Sequence, residues 1–397
     1  MPSEEPLRPY NRRPKSLAKL KLKRYHKTMI NVLIVNHNLV LQSGITTVIR
    51  NLIENTDLNT IAYTIVTGPD PRNNNEYFEN LGVKVVTMPK LSILGLNRFI
   101  SFFKRFFSEN RFDIVHSHFS QIENTIFPMA RKYGVKKCIS HSHSAKLSES
   151  PLKAAIYKIM CFGLSKRADF CAACSEQAGI ALYGRSFPSL KNKLILRNGI
   201  ECQKYAYDEA ARLELRKEYS ISDNCNVIGH VGRFSAGKNQ IFLVRLLEEL
   251  NKRGKDYILF LVGAGETKEK IEQLVSELGL KNRVVFTGGK DNVSYFLNVF
   301  DVFVMPSTHE GLGIAAIEAQ ANGLECILSN AIPKEADLTG VTFLNLDDPI
   351  EKWADVVDYM PKVRHKGYNK MVIGAGYDIH NVGAELTDFY KALIINE

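Results

Sequence analysis

Short, nearly continuous apolar segments recur along this chain, and they limit its fold more than any other feature. The first, INVLIV at 30–35, is rich in β-branched residues, which is typical of a strand buried on both faces of a sheet. Helix-like stretches separate most of the later segments, and this alternation predicts parallel sheets built from βα units. The later segments are IAYTIV (61–66), VKVVTM (83–88), FDIVHSH (112–118), KKCISHSH (136–143), FCAACS (170–175), LILRN (194–198), VIGHVG (227–232), YILFLVG (257–263), RVVFTG (283–288), VFVMPS (302–307), ECILSN (325–330) and VTFLN (341–345).

The alternation weakens at about 203–222, where the chain becomes polar, charged and helix-prone. A chain of 397 residues exceeds the usual size of one domain, so we interpret this stretch as a boundary. The sequence predicts two doubly wound α/β domains, at 29–203 and 204–375. Apolar residues at helical spacing predict a C-terminal helix within 376–397, which we expect to pack back toward the first domain.

The positive charge of the chain is concentrated at its N-terminus. Residues 1–28 hold nine Lys or Arg and two Glu, so this basic extension carries seven of the ten net positive charges. The remaining residues are close to neutral, which weakens any assignment to the nucleic-acid-binding proteins that rests on net charge. We expect no nucleic-acid partner for the folded part of the chain.

Cysteine content and hydropathy indicate a cytoplasmic protein. The seven cysteines are an odd number, and most lie in apolar segments, as expected of buried thiols in a reducing compartment. Cys171 and Cys174 form a C-x-x-C spacing, but a structural zinc site needs four ligands and the chain has no second C-x-x-C. No apolar run reaches the length of about 18 residues that a membrane-spanning helix requires.

In an open parallel sheet, ligands bind beyond the carboxyl ends of the strands, so polar residues that follow strands are the candidates for a site. The strongest is EGLGIAAIE, 310–318, directly after VFVMPS. Gly311 and Gly313 flank a predicted helix start, where free amides and the helix dipole favour a phosphate. Glu318 lies about 7 Å further along that helix, which is about the distance from a nucleotide's distal phosphate to its ribose. Glu310 would then reach past the phosphates toward a transferred group.

The loop VGRFSAGKNQ, 231–240, follows the first strand of the second domain and is the second candidate. It places Arg233 and Lys238 beside a predicted helix start. A planar guanidinium and an ammonium at this position could neutralise a diphosphate. Taken alone, the two cations could equally be solvated loop charges.

With these motifs, the chain resembles the retaining glycosyltransferases of family 4, of the bacterial capsular and exopolysaccharide type. Their GT-B fold consists of two Rossmann-like domains that face each other across a cleft. The resemblance covers about 30–395. It rests on Glu310-x7-Glu318 with its context EGLGIAAIEAQANGLECILSN, on Gly232-Arg233-Phe234 with Lys238, on VGAGE (262–266), on NGIE (198–201), and on DIVHSHFS and ISHSHS in the first half.

The resemblance implies roles for the second domain, which would bind a nucleotide-sugar donor. Arg233 and Lys238 would bind the donor diphosphate, Glu318 the ribose, and Glu310 the donor sugar. Backbone amides of Gly311, Leu312 and Gly313 would also hold phosphate. The base would lie near Gly288 to Val293.

The same resemblance makes the first domain the acceptor side. Gly44 follows the first strand and would approach the donor phosphates, although the family usually has two adjacent glycines where this chain has Ser43-Gly44. The family also places a histidine near the transferred sugar; strand register favours His143, with His141 as the alternative. His116 and His118 end the neighbouring strand and would face the acceptor.

We therefore expect a metal-independent transferase that moves a hexose or N-acetylhexosamine from a UDP-sugar to a saccharide acceptor, which is lipid-linked. No cofactor and no metal are expected: the H-x-H pairs could chelate, but no carboxylate lies at a recognisable ligand spacing. A UDP-sugar 2-epimerase, which shares the fold, and a nucleic-acid-binding protein that uses the basic tail are the alternatives. A dehydrogenase is disfavoured because INVLIV is not followed by G-x-G-x-x-G.

Two segments could contact an anionic membrane, which would make the protein peripheral on the inner face of the plasma membrane. The first is the extension at 1–28, in which SLAKLKLKR (16–24) alternates cations with Leu and Ala. Residues 97–111 place Phe99, Phe102, Phe103 and Phe106 on one helical face with basic residues around it. The alternatives are a solvated arm for the first segment and core packing for the second.

Overall fold

The computed structural model describes residues 29–395 except 42, 93, 149 and 291, and of Ile395 only the backbone. The basic extension at 1–28, with its predicted membrane contact, lies outside the described residues. In the described part of the chain, each of the predicted apolar segments overlaps a strand. The strands are β1 (Ile30–Asn36), β2 (Ile61–Thr67), β3 (Lys84–Thr87), β4 (Ile114–Ser117), β5 (Lys137–Ser142), β6 (Phe170–Ala173), β7 (Lys193–Ile195), β8 (Asn226–Val231), β9 (Tyr257–Val262), β10 (Val284–Gly288), β11 (Val302–Met305), β12 (Cys326–Ser329) and β13 (Thr342–Leu344).

Two parallel sheets organise the molecule. The order of the first is β3-β2-β1-β4-β5-β6-β7, and that of the second is β10-β9-β8-β11-β12-β13. In both sheets the order reverses beside the first strand, between β1 and β4 and between β8 and β11. Crevices that accept ligands form at such switch points.

Helices cover both faces of each sheet, which explains the continuous apolar strands. In β1, Leu33 and Val35 belong to one apolar cluster, whereas Val32 and Ile34 belong to another on the opposite face. The α-helices are α1 (Gly44–Asn55), α2 (Asn75–Asn80), α3 (Leu96–Glu109), α4 (Ser120–Lys132), α5 (Pro151–Met160), α6 (Leu164–Arg167), α7 (Glu176–Tyr183), α8 (Glu209–Glu218), α9 (Gln240–Lys252), α10 (Lys268–Glu277), α11 (Val293–Leu297), α12 (Ile314–Ala321), α13 (Ile350–Tyr359), α14 (Tyr368–Gly374) and α15 (Ile379–Ile395).

The chain passes between the two domains twice, and the two passages are hydrogen-bonded to each other. The Ile200 amide donates to the Tyr377 carbonyl at 2.8 Å, and the Ile379 amide donates to the Ile200 carbonyl at 2.9 Å. Helix α15 then packs on α1 of the first domain. A Cβ at Gly383 would lie 2.0 Å from the Asn55 carbonyl oxygen, so the glycine allows the two helices to approach closely.

The phenylalanines of α3 are part of the core. Phe99, Phe103, Phe106 and Phe107 are buried in the cluster that also contains Leu33 of β1. The expectation that residues 97–111 present a phenylalanine face to a membrane therefore does not hold, because the sheet already covers that face. Each of the seven cysteines is buried with a free thiol. Among the described residues, no helix is both long and apolar enough to cross a bilayer.

Candidate functional site

The second domain contributes two loops that start from adjacent strands. β8 and β11 pair in parallel, with Val302 opposite Ile228, so the loops that follow them leave the same edge of the sheet. The loop after β8 contains Lys238, and the loop after β11 contains Glu310. The Thr308 amide donates a 2.8 Å hydrogen bond to the Gly237 carbonyl, which ties the two loops together.

Lys238 and Glu310 form the centre of this arrangement. The Lys238 Nζ lies 2.7 Å from Glu310 Oε1, although the two residues are 72 positions apart. Their side chains keep 24% and 13% of their surface exposed, so the pair is shielded but still accessible. An ammonium in this position can bind a phosphate oxygen as a strong, charge-assisted donor.

Arg233 lies in the same loop but turns to a different carboxylate. Its guanidinium contacts Glu266 at 3.1 Å, and its side chain is 72% exposed. The glycines of VGAGE have a packing role here: a Cβ at Gly263 or Gly265 would lie 2.0 or 2.2 Å from backbone oxygens of the β8 loop. Arg233 is thus near the site because it lies in the same loop as Lys238. Its side chain pairs with Glu266, whereas Lys238 pairs with Glu310.

The glycine-rich turn at 311–313 starts α12, as the sequence predicts. Gly313 adopts φ +89°, a left-handed conformation that side chains rarely take. Leu312 is 2% exposed and belongs to the apolar cluster of the first domain. Only the backbone of Leu312 is therefore able to reach a phosphate.

Glu318 projects from the second turn of α12 and accepts a hydrogen bond from the Tyr205 hydroxyl at 2.7 Å. Desolvation raises its pKa to about 7, and the Tyr205 hydrogen bond opposes that shift. The carboxyl is therefore close to half-ionised near neutral pH. Tyr205 was not identified from the sequence, because the contact spans 113 positions.

Three further predicted donor residues follow or end strands of the two sheets. Gly44 is the first residue of α1, after β1, and a Cβ there would have no atom within 4 Å. Gly288 ends β10 with φ +74°, and Val293 is the first residue of α11. Because β10 is separated from β8 by β9, the Gly288–Val293 segment lies to one side of the Lys238–Glu310 pair.

The first domain contributes a cluster of four histidines at the ends of β4 and β5. His116 Nε2 is 3.1 Å from His141 Nδ1, and His118 Nδ1 is 2.7 Å from His143 Nε2. His116 Nδ1 also lies 2.6 Å from the hydroxyl of Tyr390 on α15. The ring centroids of neighbouring histidines are 4.0 to 5.2 Å apart, and the rings are stacked in three of these pairs and tilted in the other two.

The four imidazoles are held uncharged. Desolvation lowers the pKa of His116 and of His143 to about 3, and it lowers the pKa of His118 and of His141 well below the usual value. His116, His118 and His141 are buried, whereas His143 remains partly exposed. The predicted acceptor contact of His116 is not favoured by this geometry, because Tyr390 and His141 already occupy its two nitrogens.

These histidines are also where a metal ion could bind. His116, His118 and His141 each offer a nitrogen, and the three atoms lie within 4.8 Å of one another. Neutral imidazoles are suitable ligands. The hydrogen bonds of His116 would, however, have to break for it to bind a metal, so metal independence stays our expectation.

The turn at 310–313 meets the histidine cluster at the junction of the domains. A Cβ at Gly311 would lie 2.1 Å from the His143 carbonyl oxygen, so only glycine allows this approach. The Gly311 carbonyl accepts a hydrogen bond from the Ser175 hydroxyl at 2.5 Å. The His143 backbone and Gly311 thereby lie in contact, with Glu310 directly before Gly311 in the chain, while His141 is more deeply buried than His143.

Four residues of this arrangement were not identified from the sequence: Tyr205, Ser175, Tyr390 and His230. His230 lies on β8 with Nδ1 2.9 Å from the Val304 carbonyl. Its buried Nε2 has no hydrogen-bond partner within the described residues, and it lies close behind Gly232. Of these four residues, His230 has a recognisable signal in the sequence, because it is a polar residue inside an apolar strand.

Comparisons with known proteins show the family of the chain. Residues 211–343 match the family model of the glycosyl transferases group 1. The chain is 30% identical over 358 residues to the putative glycosyltransferase EpsF of Bacillus subtilis, which covers 87% of this chain and 92% of EpsF. It is 24% identical over 319 residues to the Escherichia coli UDP-Gal:α-D-GlcNAc-diphosphoundecaprenol α-1,3-galactosyltransferase, covering 77% and 81% of the two chains.

The fold of the chain is also similar to that of solved structures. The crystal structure of Anabaena Alr3699/HepE in complex with UDP and glucose matches with a TM-score of 0.72 and 16% identity, over 89% of this chain and 97% of that one. The two parallel sheets, their switch points and this likeness identify the two-domain α/β architecture as GT-B. The chain belongs to the group 1 family of glycosyl transferases.

Proposed function

We propose that this protein is a retaining, metal-independent transferase that moves a hexose or N-acetylhexosamine from a UDP-sugar to a saccharide acceptor. The acceptor is lipid-linked, and the reaction belongs to the synthesis of a bacterial surface polysaccharide such as an exopolysaccharide. The observation that carries the proposal is the 2.7 Å contact of Lys238 with Glu310, beside the glycine-rich start of α12. The names of the relatives support a nucleotide-sugar donor. The galactosyltransferase and the HepE complex, whose names contain UDP, favour a UDP base, whereas other relatives are GDP-mannose-dependent.

The proposed chemistry follows from where charge develops. Cleavage of the bond between the sugar and the diphosphate leaves positive charge on the sugar ring and negative charge on the departing diphosphate. Lys238, Arg233 and the amides at the start of α12 stabilise that negative charge more strongly in the transition state than in the bound donor. The acceptor hydroxyl attacks from the face that the diphosphate leaves, and a diphosphate oxygen takes its proton.

The remaining residues orient the donor. Glu318 accepts hydrogen bonds from the ribose hydroxyls, and Glu310 contacts the sugar after Lys238 has turned toward the phosphates. His143, uncharged and next to Gly311, donates to or accepts from a sugar hydroxyl near the reacting carbon. Contact between the domains excludes water, which would otherwise hydrolyse the donor.

A thermal-shift panel tests the donor and the site together. We expect UDP or a UDP-sugar, and not GDP, to raise the melting temperature by several degrees, since saturation at about 100 times Kd adds about 2.7 kcal/mol. Glu318→Ala should weaken UDP binding about 10- to 100-fold, because a charged acceptor of two hydrogen bonds is lost. Glu272→Ala, which removes an exposed helical glutamate of the same domain, is the matched control.

Indifference of the wild-type protein to every nucleotide would contradict the proposal. If nucleotide binding is present, incubation with the UDP-sugar and an acceptor distinguishes the chemistry. A transferred sugar is the expected product, whereas a UDP-sugar changed in configuration at C2 would identify the epimerase instead.

The raised pKa of Glu318 predicts a pH dependence. Above about pH 7 the carboxylate can accept both ribose hydroxyl hydrogen bonds, and below it the protonated carboxyl loses part of that capacity. We expect kcat/KM for the donor to fall up to about tenfold as the pH is lowered from about 8 to about 5.5. Glu318→Gln should have a low and nearly flat profile; an unchanged acidic limb in that variant would assign the ionisation to another group.

A further inference from the structure

Helix α5, on the surface of the first domain, presents its apolar residues to solvent. None of its residues is buried. Leu152, Ile156 and Ile159 are 72%, 47% and 76% exposed, and Phe162, just beyond the helix, is 82% exposed. Large exposed apolar patches of this kind mark surfaces that bind a partner or a membrane.

The orientation of α5 follows from its periodicity and its neighbours. At 3.6 residues per turn, Leu152, Ile156 and Ile159 lie on one stripe of about 60°. Ala154 and Tyr157 lie on the opposite side and are partly buried, and α5 packs against α4. The helix is therefore turned with its most apolar side away from the protein.

Hydrogen bonds fix this orientation. The side-chain amide of Asn124 on α4 donates to the Met160 carbonyl at 2.6 Å and to the Phe162 carbonyl at 3.1 Å. Both bonds hold the C-terminal end of α5 and the backbone of Phe162 in place. The exposed stripe is thus a built feature of the surface and not the frayed end of a helix.

Charge identifies the kind of partner. Residues 151–167 contain Lys153, Lys158, Lys166 and Arg167, all exposed, and no Asp or Glu. At helical spacing, Lys153 lies about 90° to one side of the centre of the apolar stripe, and Lys158 lies about 130° to the other side. An apolar stripe bordered by cations is the pattern of a helix that lies in the interface of an anionic bilayer.

We propose that the α5 face, defined as Leu152, Ile156, Ile159 and Phe162 with Lys153 and Lys158, docks this protein on an anionic lipid bilayer. The apolar side chains enter the boundary between headgroups and acyl chains, while the lysines contact lipid phosphates. This surface takes the place of residues 97–111, whose phenylalanines lie in the core. α5 begins eight positions after His143, so docking places the junction of the two domains close to the membrane. That this placement brings the site close to a lipid-linked acceptor rests on the proposed function, whereas the docking itself does not.

Vesicle flotation with the full chain tests the proposal. We expect the protein to float with phosphatidylcholine vesicles that contain phosphatidylglycerol and to stay in solution with phosphatidylcholine alone. Leu152→Ser with Ile159→Ser should reduce binding at least about tenfold through lost apolar insertion. Lys153→Glu with Lys158→Glu should do the same through charge, since each cation near an anionic surface contributes a several-fold effect.

The matched control is Leu58→Ser with Leu213→Ser, which removes two exposed leucines elsewhere and should leave flotation unchanged. Melting temperature and the nucleotide-induced shift should be retained in all variants, so a failure of docking is distinguishable from a failure of the proposed function. The proposal is overturned if the wild-type protein does not float, or if the α5 variants float as well as the control. It is also overturned if the α5 face instead mediates a dimer that Leu152→Ser with Ile159→Ser dissolves in light scattering.

Discussion

Replacing Lys238 by methionine is expected to lower kcat/KM for sugar transfer about 100- to 1,000-fold. In the proposed reaction, the change removes an ammonium that stabilises the developing charge of the leaving diphosphate, and loss of one such donor typically has an effect of this size. Methionine keeps the length and the apolar stem of the side chain. Because Lys238 keeps 24% of its surface exposed, the melting temperature should change by only a few degrees.

Lys252→Met is the matched control for this prediction. Lys252 lies on α9, which directly follows the Lys238 loop, and pairs with Glu248 at 2.8 Å on an exposed surface. Removing it should leave transfer within about twofold of wild type, since exposed ion pairs contribute little. Steady-state kinetics on both variants test this prediction. Equal kcat/KM values would show that Lys238 is only one of several interchangeable surface cations.

Replacing Gly311 by alanine should reduce transfer about 100-fold by a different route. The added Cβ would come within 2.1 Å of the His143 carbonyl oxygen, which belongs to the backbone and cannot turn aside. The two domains must then separate by about an ångström at the point where donor and acceptor meet in the proposed reaction. A displacement of that size in reacting groups is enough for such a loss.

Nucleotide binding separates this effect from general damage. Lys238, Glu318 and Tyr205 all belong to the second domain, so the UDP-induced thermal shift should survive in Gly311→Ala. Gly374→Ala, where a Cβ would have no atom within 4 Å, is the control and should behave as wild type in both assays. Normal transfer by Gly311→Ala would mean that the domains do not need this contact during the reaction.

Much of the fold could be predicted from the sequence because parallel strands buried on both faces have a distinctive composition. INVLIV reads as a strand without any knowledge of its partners, since both sides of β1 face apolar clusters. The same reasoning predicted that the loops with Lys238 and Glu310 follow strands of one sheet, at the edge where open parallel sheets bind ligands. It could not show that Arg233 pairs with Glu266, since nothing in the loop sequence fixes the direction of an exposed side chain.

Amphipathic helices show the limit of pattern reading. α3 and α5 both combine an apolar stripe with cations. From the sequence, the α3 segment was one of two candidates for membrane contact, with core packing as its alternative, whereas α5 was not a candidate. In the folded protein, the stripe of α3 packs on the first sheet, whereas α4 contacts the less apolar side of α5. Periodicity reports that a helix has an apolar side, but the neighbouring elements decide which way that side faces.

The sequence alone determined that this chain forms two parallel α/β domains and which loops carry its charged and glycine-rich motifs, because local composition and spacing encode both. Tertiary structure alone decided which of those groups meet. The contacts of Lys238 with Glu310, Tyr205 with Glu318 and His116 with Tyr390 join residues 72, 113 and 274 positions apart. Such contacts depend on strand order and on the packing of the domains, and neither can be predicted from a local pattern of residues.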